Sequence, residues 1–166
     1  MFDFQAGPHR GPAAGIGETL CFFCQLLRGG RKLNQGENAM GSKENRAALD
    51  RHWAASVSGD LEAEHDIYDD SVLCEYPQSG ERIRGRRNLQ ALRGHHPGKP
   101  SGFRIRRVVG ADNFWVTEYV IDYQGKPFDT VSIMEFRNGK VVHEAQYFAE
   151  PFPAPAWRTE WVEHAA

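Results

Sequence analysis

Four groups of residues in this 166-residue chain have the types and spacings that chemistry requires. Cys21-Phe-Phe-Cys24 has the spacing of a redox or metal motif, and Glu62-x-x-His65 is half of a carboxylate di-metal site. His95-His96 offers two imidazoles to a metal, and Asp66, Asp69 and Asp70 could hold a cation. Each group lacks what its chemistry needs. The cysteine pair has no second Cys/His pair and no thioredoxin-like context. The Glu-x-x-His half-site has no second copy and no carboxylates from two further helices. Sequential histidines on a helix point apart, and the three aspartates sit where a helix end explains them. The expectation is a protein with no metal and no cofactor.

Arg82, Arg84, Arg86, Arg87, Arg93, Arg104, Arg106 and Arg107 are the one concentration of charge. Single-strand binding also needs aromatics in the same groove. Here the aromatics alternate onto inner strand faces, and a formal net charge of -2 supplies no long-range pull on nucleic acid. Ion pairs with Glu81, Glu118, Asp122 and Glu135 on the outer sheet face are the expected use of these arginines, and no nucleic-acid partner is expected.

The elements that position these residues follow from pattern. The chain is 40% hydrophobic and 25% charged, as in a soluble globular domain, and no run approaches the ~18 apolar residues of a membrane span. No membrane partner is expected. Three cysteines, two of them near the start, indicate no disulfide framework, which makes a reducing cytoplasm the default. Residues 1–41 are rich in Gly, Pro, Ala and Gln and read as a disordered leader or a segment upstream of a start at Met40. Ser42 to Ser58 reads as an amphipathic helix capped at Ser42, with Ala47, Ala48, Leu49, Trp53 and Val57 on its apolar side. Gly59-Asp60 stops it and caps a short second helix that Tyr68-Asp69-Asp70 ends. Val72 to Tyr76 and Arg82 to Arg84 form a hairpin, and Arg86 to Leu92 a third helix. Phe103 to Val109, Phe114 to Tyr123, Phe128 to Phe136 and Val141 to Ala149 then alternate as strands. Helices first and a strand meander second predict an α+β fold with helices packed on one face of a curved, mostly antiparallel sheet. Charge placement turns Trp115, Thr117, Tyr119 and Ile121 inward on one strand, and Thr130, Ser132 and Met134 inward on the next, which makes an aromatic, weakly polar wall.

Gly59-Asp60, Tyr68-Asp69-Asp70, Glu75-Tyr76-Pro77, Gly85-Arg86-Arg87 and Gly139-Lys140-Val141-Val142 fall in an order and at a spacing that resemble the nuclear transport factor 2-like superfamily. The likeness is to its SnoaL-like polyketide cyclase and ketosteroid isomerase branch, over residues 44–150, with residues 42–150 as the domain. The resemblance implies a cone-shaped α+β barrel with an internal pocket at its open end, a homodimer through the outer sheet face, and Glu144, Gln146 and Phe148 turned inward on the last strand. It also implies that Arg106, Glu118 and Asp122 pair across subunits. Isomerisation or ring closure beside a carbonyl needs a base for a carbon-bound proton and a donor for the enolate oxygen. Laid on the ketosteroid isomerase pattern, the base aspartate falls on Tyr76, the oxyanion tyrosine on His52 and the protonated acid on Ser132, while the acid of SnoaL-like cyclases falls on Gln146. With those acids replaced, the resemblance leaves His52 as base and Tyr76 or Ser132 as donor, in a pocket lined by Trp53, Trp115, Tyr119, Met134, Glu144, Gln146 and Phe148. The implied ligand is a small, largely apolar or carbonyl-bearing molecule, and the implied activity a cofactor-independent isomerase, dehydratase or cyclase. The missing acids favour the alternative, a non-catalytic ligand-binding or protein-interaction module. In the tail, residues 151–166, three prolines fix an extended path to Trp157 and Trp161, which pack either over the pocket or in a dimer contact.

Overall fold

In the computed structural model the backbone is described for residues 35–163 and side chains from residue 41 to 163; the Cys21-Phe-Phe-Cys24 motif, most of the expected leader and the Met40 side chain lie outside the described residues. Helix α1 spans Gln35–Ser58, starting earlier than the expected cap at Ser42. Ser42 and Asn45 serve a different purpose: the Ser42 hydroxyl accepts the Asp112 N–H (3.2 Å) and the Asn45 amide donates to the Asp112 carbonyl (2.8 Å). Both tie α1 to a distant hairpin turn. The buried stripe of α1 is accordingly more polar than apolar periodicity predicts. Asn45, Leu49, His52, Trp53 and Ser56 are buried, whereas Ala47 and Val57 face solvent.

Gly59 ends α1 with φ of 76°, and Asp60 N–H bonds back to the Ala55 carbonyl at 3.0 Å, so the left-handed residue satisfies a helix-end acceptor. The Asp60 carboxylate then accepts the Ala63 N–H at 3.0 Å and caps α2, Leu61–His65. Strand β1 runs Tyr68–Tyr76, with Tyr68 in the strand and not in a helix end. A register shift between Tyr68 and Leu73 breaks strict alternation, so Tyr68, Val72 and Cys74 are all buried while Asp70 is exposed. Strand β2 (Glu81–Arg84), helix α3 (Arg86–Gly94), β3 (Gly102–Ala111), β4 (Phe114–Tyr123), β5 (Lys126–Arg137) and β6 (Lys140–Ala149) follow.

The six strands form one sheet in the order β2-β1-β6-β5-β4-β3, with β1 and β6 parallel and the other neighbours antiparallel. This is the curved, unclosed sheet of a cone-shaped α+β fold. Three rows of inward side chains cross it: Trp115, Met134, Glu144 and Cys74; then Thr117, Ser132 and Gln146; then Ile105, Tyr119, Thr130 and Phe148. Rows one and two are buried, and the rim beyond them, Phe103, Tyr123, Phe128 and Phe148, is half-buried, so the inner face opens toward that end. Helix α1 closes over the rows through Trp53, whose indole N–H donates to Thr117 Oγ1 at 3.1 Å. Gly110 lets the β3–β4 hairpin close, because a Cβ there would lie 2.4 Å from the Phe114 carbonyl oxygen. Past Ala149, a two-turn 3-10 helix spans Ala156–Trp161 with Trp157 74% and Trp161 75% exposed, so neither indole covers the chain's own inner face. Among the described residues, no helix is long and apolar enough to cross a membrane.

Candidate functional site

Strand parity and register put Glu144, which is fully buried, in the middle of the first inward row. Its Oε1 accepts the Ser132 hydroxyl at 2.6 Å, and its Oε2 accepts the Tyr68 hydroxyl at 2.7 Å and an Arg93 N–H at 3.1 Å. The Cys74 thiol lies 3.8 Å from Oε2. Arg93 arrives from the last turn of α3, four residues after the fully buried Leu89 and therefore on the same helix face. One of its terminal nitrogens also donates to Glu64 on α2 at 3.1 Å and to Tyr68 at 3.2 Å. The other lies 3.5 Å from the Gln146 side-chain oxygen, and the guanidinium stands 5.4 Å from the centre of the Tyr68 ring. One cation is thus held between two carboxylates inside the domain.

Their environments push the two carboxyls apart. Burial penalises the charged form of Glu144, but Arg93 and the Ser132 and Tyr68 hydroxyls outweigh it and hold the acid below its ordinary range. At Glu64 burial wins over Arg93 and raises the carboxyl. Burial opposes the Arg93 charge as well, yet Tyr68, Glu144 and Glu64 more than restore it. Pairs of groups separated in this way are how one site keeps a proton acceptor and a proton donor at the same pH.

The residues expected from sequence fall around this cluster in distinct settings. His52 bonds through Nδ1 to the Glu64 backbone carbonyl at 2.7 Å, so Nδ1 carries the proton. It packs edge-on to Trp53 and Tyr68, and burial, partly offset by the Glu64 carbonyl, lowers it to about 4. It also borders a cavity of about 370 Å³ with Arg51, Asp66 and Lys140. Ser132 is on the inner face, but its proton is committed to Glu144. Tyr76 is half-buried on the rim, edge-on to Phe148 at 5.6 Å, and burial pushes its hydroxyl up to about 12 against the pull of Arg93. Tyr119 is buried between Trp53 and Phe103, accepts an N–H from Gln146 at 3.2 Å and is raised by burial, so it stays protonated with its own O–H to give. Trp115 and Met134 are core residues, and the Trp115 indole is spent on the Asp112 carbonyl.

The remaining candidates resolve into local structure. Asp70 and Asp66 pair with Arg86 at 2.7 and 3.8 Å, and Asp69 accepts from Ser71. His95 bonds to the Ala91 carbonyl, and His96 stacks on Tyr123. His65 donates from Nδ1 to Leu61, and its buried Nε2 has no partner among the described residues. Arg106 and Glu118, expected to pair across subunits, pair within the chain, and Asp122 instead holds Ser101 and the Gly125 N–H. Sequence reasoning missed Arg93, Tyr68 and Glu64. Arg93 was legible from its i+4 spacing to Leu89, but grouping it with the surface arginines hid that.

A family profile described as the SnoaL-like domain matches residues 49–144, more than half of the chain. A solved NTF-2 like protein of unknown function from Burkholderia xenovorans LB400 is 64% identical, with a TM-score of 0.69 over 75% of this chain and 97% of that one. A Kribbella flavida DSM 17836 protein provisionally named a ketosteroid isomerase shares the fold at 19% identity, with a TM-score of 0.69 over 75% of this chain and 92% of its own. An LEH-like epoxide hydrolase from M. tuberculosis shares it at 21% identity, with a TM-score of 0.53 over 64% and 84%. Among curated proteins no sequence matches the chain.

Proposed function

This chain belongs to the SnoaL-like domain family, and we propose that its inner sheet face takes a small, largely apolar molecule bearing a carbonyl and turns it over by acid/base chemistry without a cofactor. The observation that carries this reading is the Glu64–Arg93–Glu144 cluster, in which one carboxyl is raised and the other lowered beside a buried cation. The aromatic rim supplies apolar area for the ligand body, and Tyr76 and Tyr119 supply protonated hydroxyls for its oxygen. In an isomerisation, dehydration or cyclisation of this kind a carboxylate takes the proton from the carbon beside the carbonyl, and the electron pair moves onto the oxygen under a tyrosine hydroxyl. In an isomerisation the proton then returns to carbon at the product position, in a dehydration it leaves with the departing hydroxyl as water, and in a cyclisation the enolate carbon forms the ring bond and the proton ends on the oxygen of the carbonyl it attacks. A base works best with a pKa near the working pH. His52, lowered to about 4, is the poorer base, and Glu64, raised and half-buried, is the better one.

A second reading has its own observation. Both Glu144 oxygens are filled by protein donors and the Ser132 proton is committed, which suits a ligand-binding module without turnover. Incubating the full chain with a mixed metabolite extract, followed by native mass spectrometry, separates the two. The enzymatic reading expects a retained carbonyl compound that wild type converts and that Glu64→Gln binds but leaves unchanged. Retention without conversion by wild type supports the module, and no retained compound removes the small-molecule reading.

The outer sheet face is proposed as a homodimer surface. Among the described residues no helix covers it, and Val109, Phe114 and Tyr147 expose apolar area there. The reducing cytoplasm is the proposed compartment, in keeping with the free, buried Cys74 thiol.

A further inference from the structure

We infer that the proline-tryptophan tail of one copy straps across the outer sheet face of a second copy; this rests on the proposal that the outer face self-associates. That face carries a groove of about 370 Å³ in which Val109, Val116, Val131 and Tyr147 form the apolar floor and Arg106 and Arg107 part of the rim. Register explains the floor: Val131 and Tyr147 continue the outward row of Arg107 and Glu118 across β5 and β6, and Val109 and Val116 pair in the next outward row on β3 and β4. The tail leaves the sheet at this groove, because Phe148 and Ala149 border it. Its own chain does not fill the groove with the tail, since Phe152, Trp157 and Trp161 each remain about three-quarters exposed. Two indoles and a phenyl ring so exposed are a large apolar area without a partner.

Length and charge select the second copy as occupant. Pro151, Pro153 and Pro155 hold the segment extended, and at about 3.1 Å per residue the path from Ala149 to Pro155 reaches about 19 Å, with the 3-10 helix that carries Trp157 beyond it. Packed sheets stand ~10 Å apart, so an arm of this length crosses onto a facing copy with residues to spare. The tail carries Glu150, Glu160 and Glu163 against the lone Arg158. The receiving face near β3 carries Arg104, Arg106 and Arg107 against Glu118 and Asp129, and among the described residues Arg104 makes no ion pair. A net-negative, aromatic arm therefore meets an apolar groove whose rim arginines are paired with Glu118 and Asp129 and beside which Arg104 adds a further positive charge. By symmetry each copy gives one arm and receives one.

The test is sedimentation equilibrium on the full chain over a concentration series, comparing wild type with Trp157→Ala/Trp161→Ala, Glu160→Lys/Glu163→Lys, Tyr147→Ala, and the tryptophan and tyrosine changes combined. The altered side chains are exposed, and circular dichroism verifies that each variant is folded. The expected result is a wild-type dimer whose dissociation constant rises at least about tenfold on loss of the two indoles. The charge reversal is expected to raise it less, and the combined variant less than the product of its parts, because arm and groove touch. A dimer indifferent to the tryptophans, or effects that simply multiply, overturns the strap and leaves the outer-face dimer standing. A monomer at every concentration overturns both.

Discussion

The two faces of the sheet use the same ion-pairing groups in opposite settings. On the outer face Arg106 and Arg107 meet Glu118 and Asp129 at 2.8 to 3.5 Å, with every partner at least a third exposed. On the inner face Arg93 meets Glu64 and Glu144 at 3.1 Å, with the three side chains 16%, 14% and 0% exposed. Distances are alike, so the difference lies in solvent. Water screens the outer pairs and takes over their hydrogen bonds when a partner is lost. The inner cluster has no such substitute, so its pairs must satisfy one another and shift the proton affinities of everything around them. Geometry alone would rank the two arginine clusters equally; burial is what makes the inner one the candidate site.

Breaking the inner cluster at its centre has the largest predicted effect. Arg93→Met strands two carboxylates, one of them fully buried, and is expected to cost about 3–5 kcal/mol in chemical denaturation. Removing single donors is milder. Tyr68→Phe and Ser132→Ala each leave Glu144 one hydrogen bond short, for a loss of roughly 1.5–3 kcal/mol in the same measurement.

Acidity separates the two faces further, because among the described residues the buried imidazoles, His52 and His65, lie on the inner side. His52 and His65 are both lowered to about 4 by burial. From pH 6.5 down to about 4 the unfolded chain takes up protons on these groups and the folded one does not, so stability falls as pH drops through that window. Glu64, raised when folded, opposes this over part of the range, whereas Glu144, lowered when folded, adds a further loss as pH falls through its own depressed value. Denaturation midpoints across pH for wild type and a His52→Phe variant measure the first contribution, and the variant is expected to show the shallower fall. The smallest effect belongs to the outer face, where Arg107→Ala is expected to change monomer stability by no more than about 0.5 kcal/mol.

Much of the fold was legible because it rests on local periodicity. Strand β4 matches its alternation at both ends, and the Gly59-Asp60 junction does in the structure what a left-handed stop and an aspartate cap do in a sequence. The start of β1 was not legible, because the bulge between Tyr68 and Leu73 breaks the two-residue period and makes Tyr68-Asp69-Asp70 look like a helix end. The start of α1 was obscured in a similar way. Ser42 has the type of a cap, and only the fold shows that its hydroxyl serves Asp112. Of the site, the inward positions of Glu144, Gln146 and Ser132 follow from strand parity together with the family likeness. What parity cannot supply is which elements converge. Glu64, Arg93 and Glu144 come from two helices and the last strand, and no spacing along the chain announces that they meet.

Side-chain carboxyl chemical shifts measured through a pH titration show directly whether the inner face separates two carboxyl groups around one buried guanidinium. With the two signals assigned through Glu64→Gln and Glu144→Gln, Glu144 is expected to titrate below the ordinary glutamate range and Glu64 above it. Two carboxyls titrating together at the ordinary value, or in the reverse order, would contradict that separation.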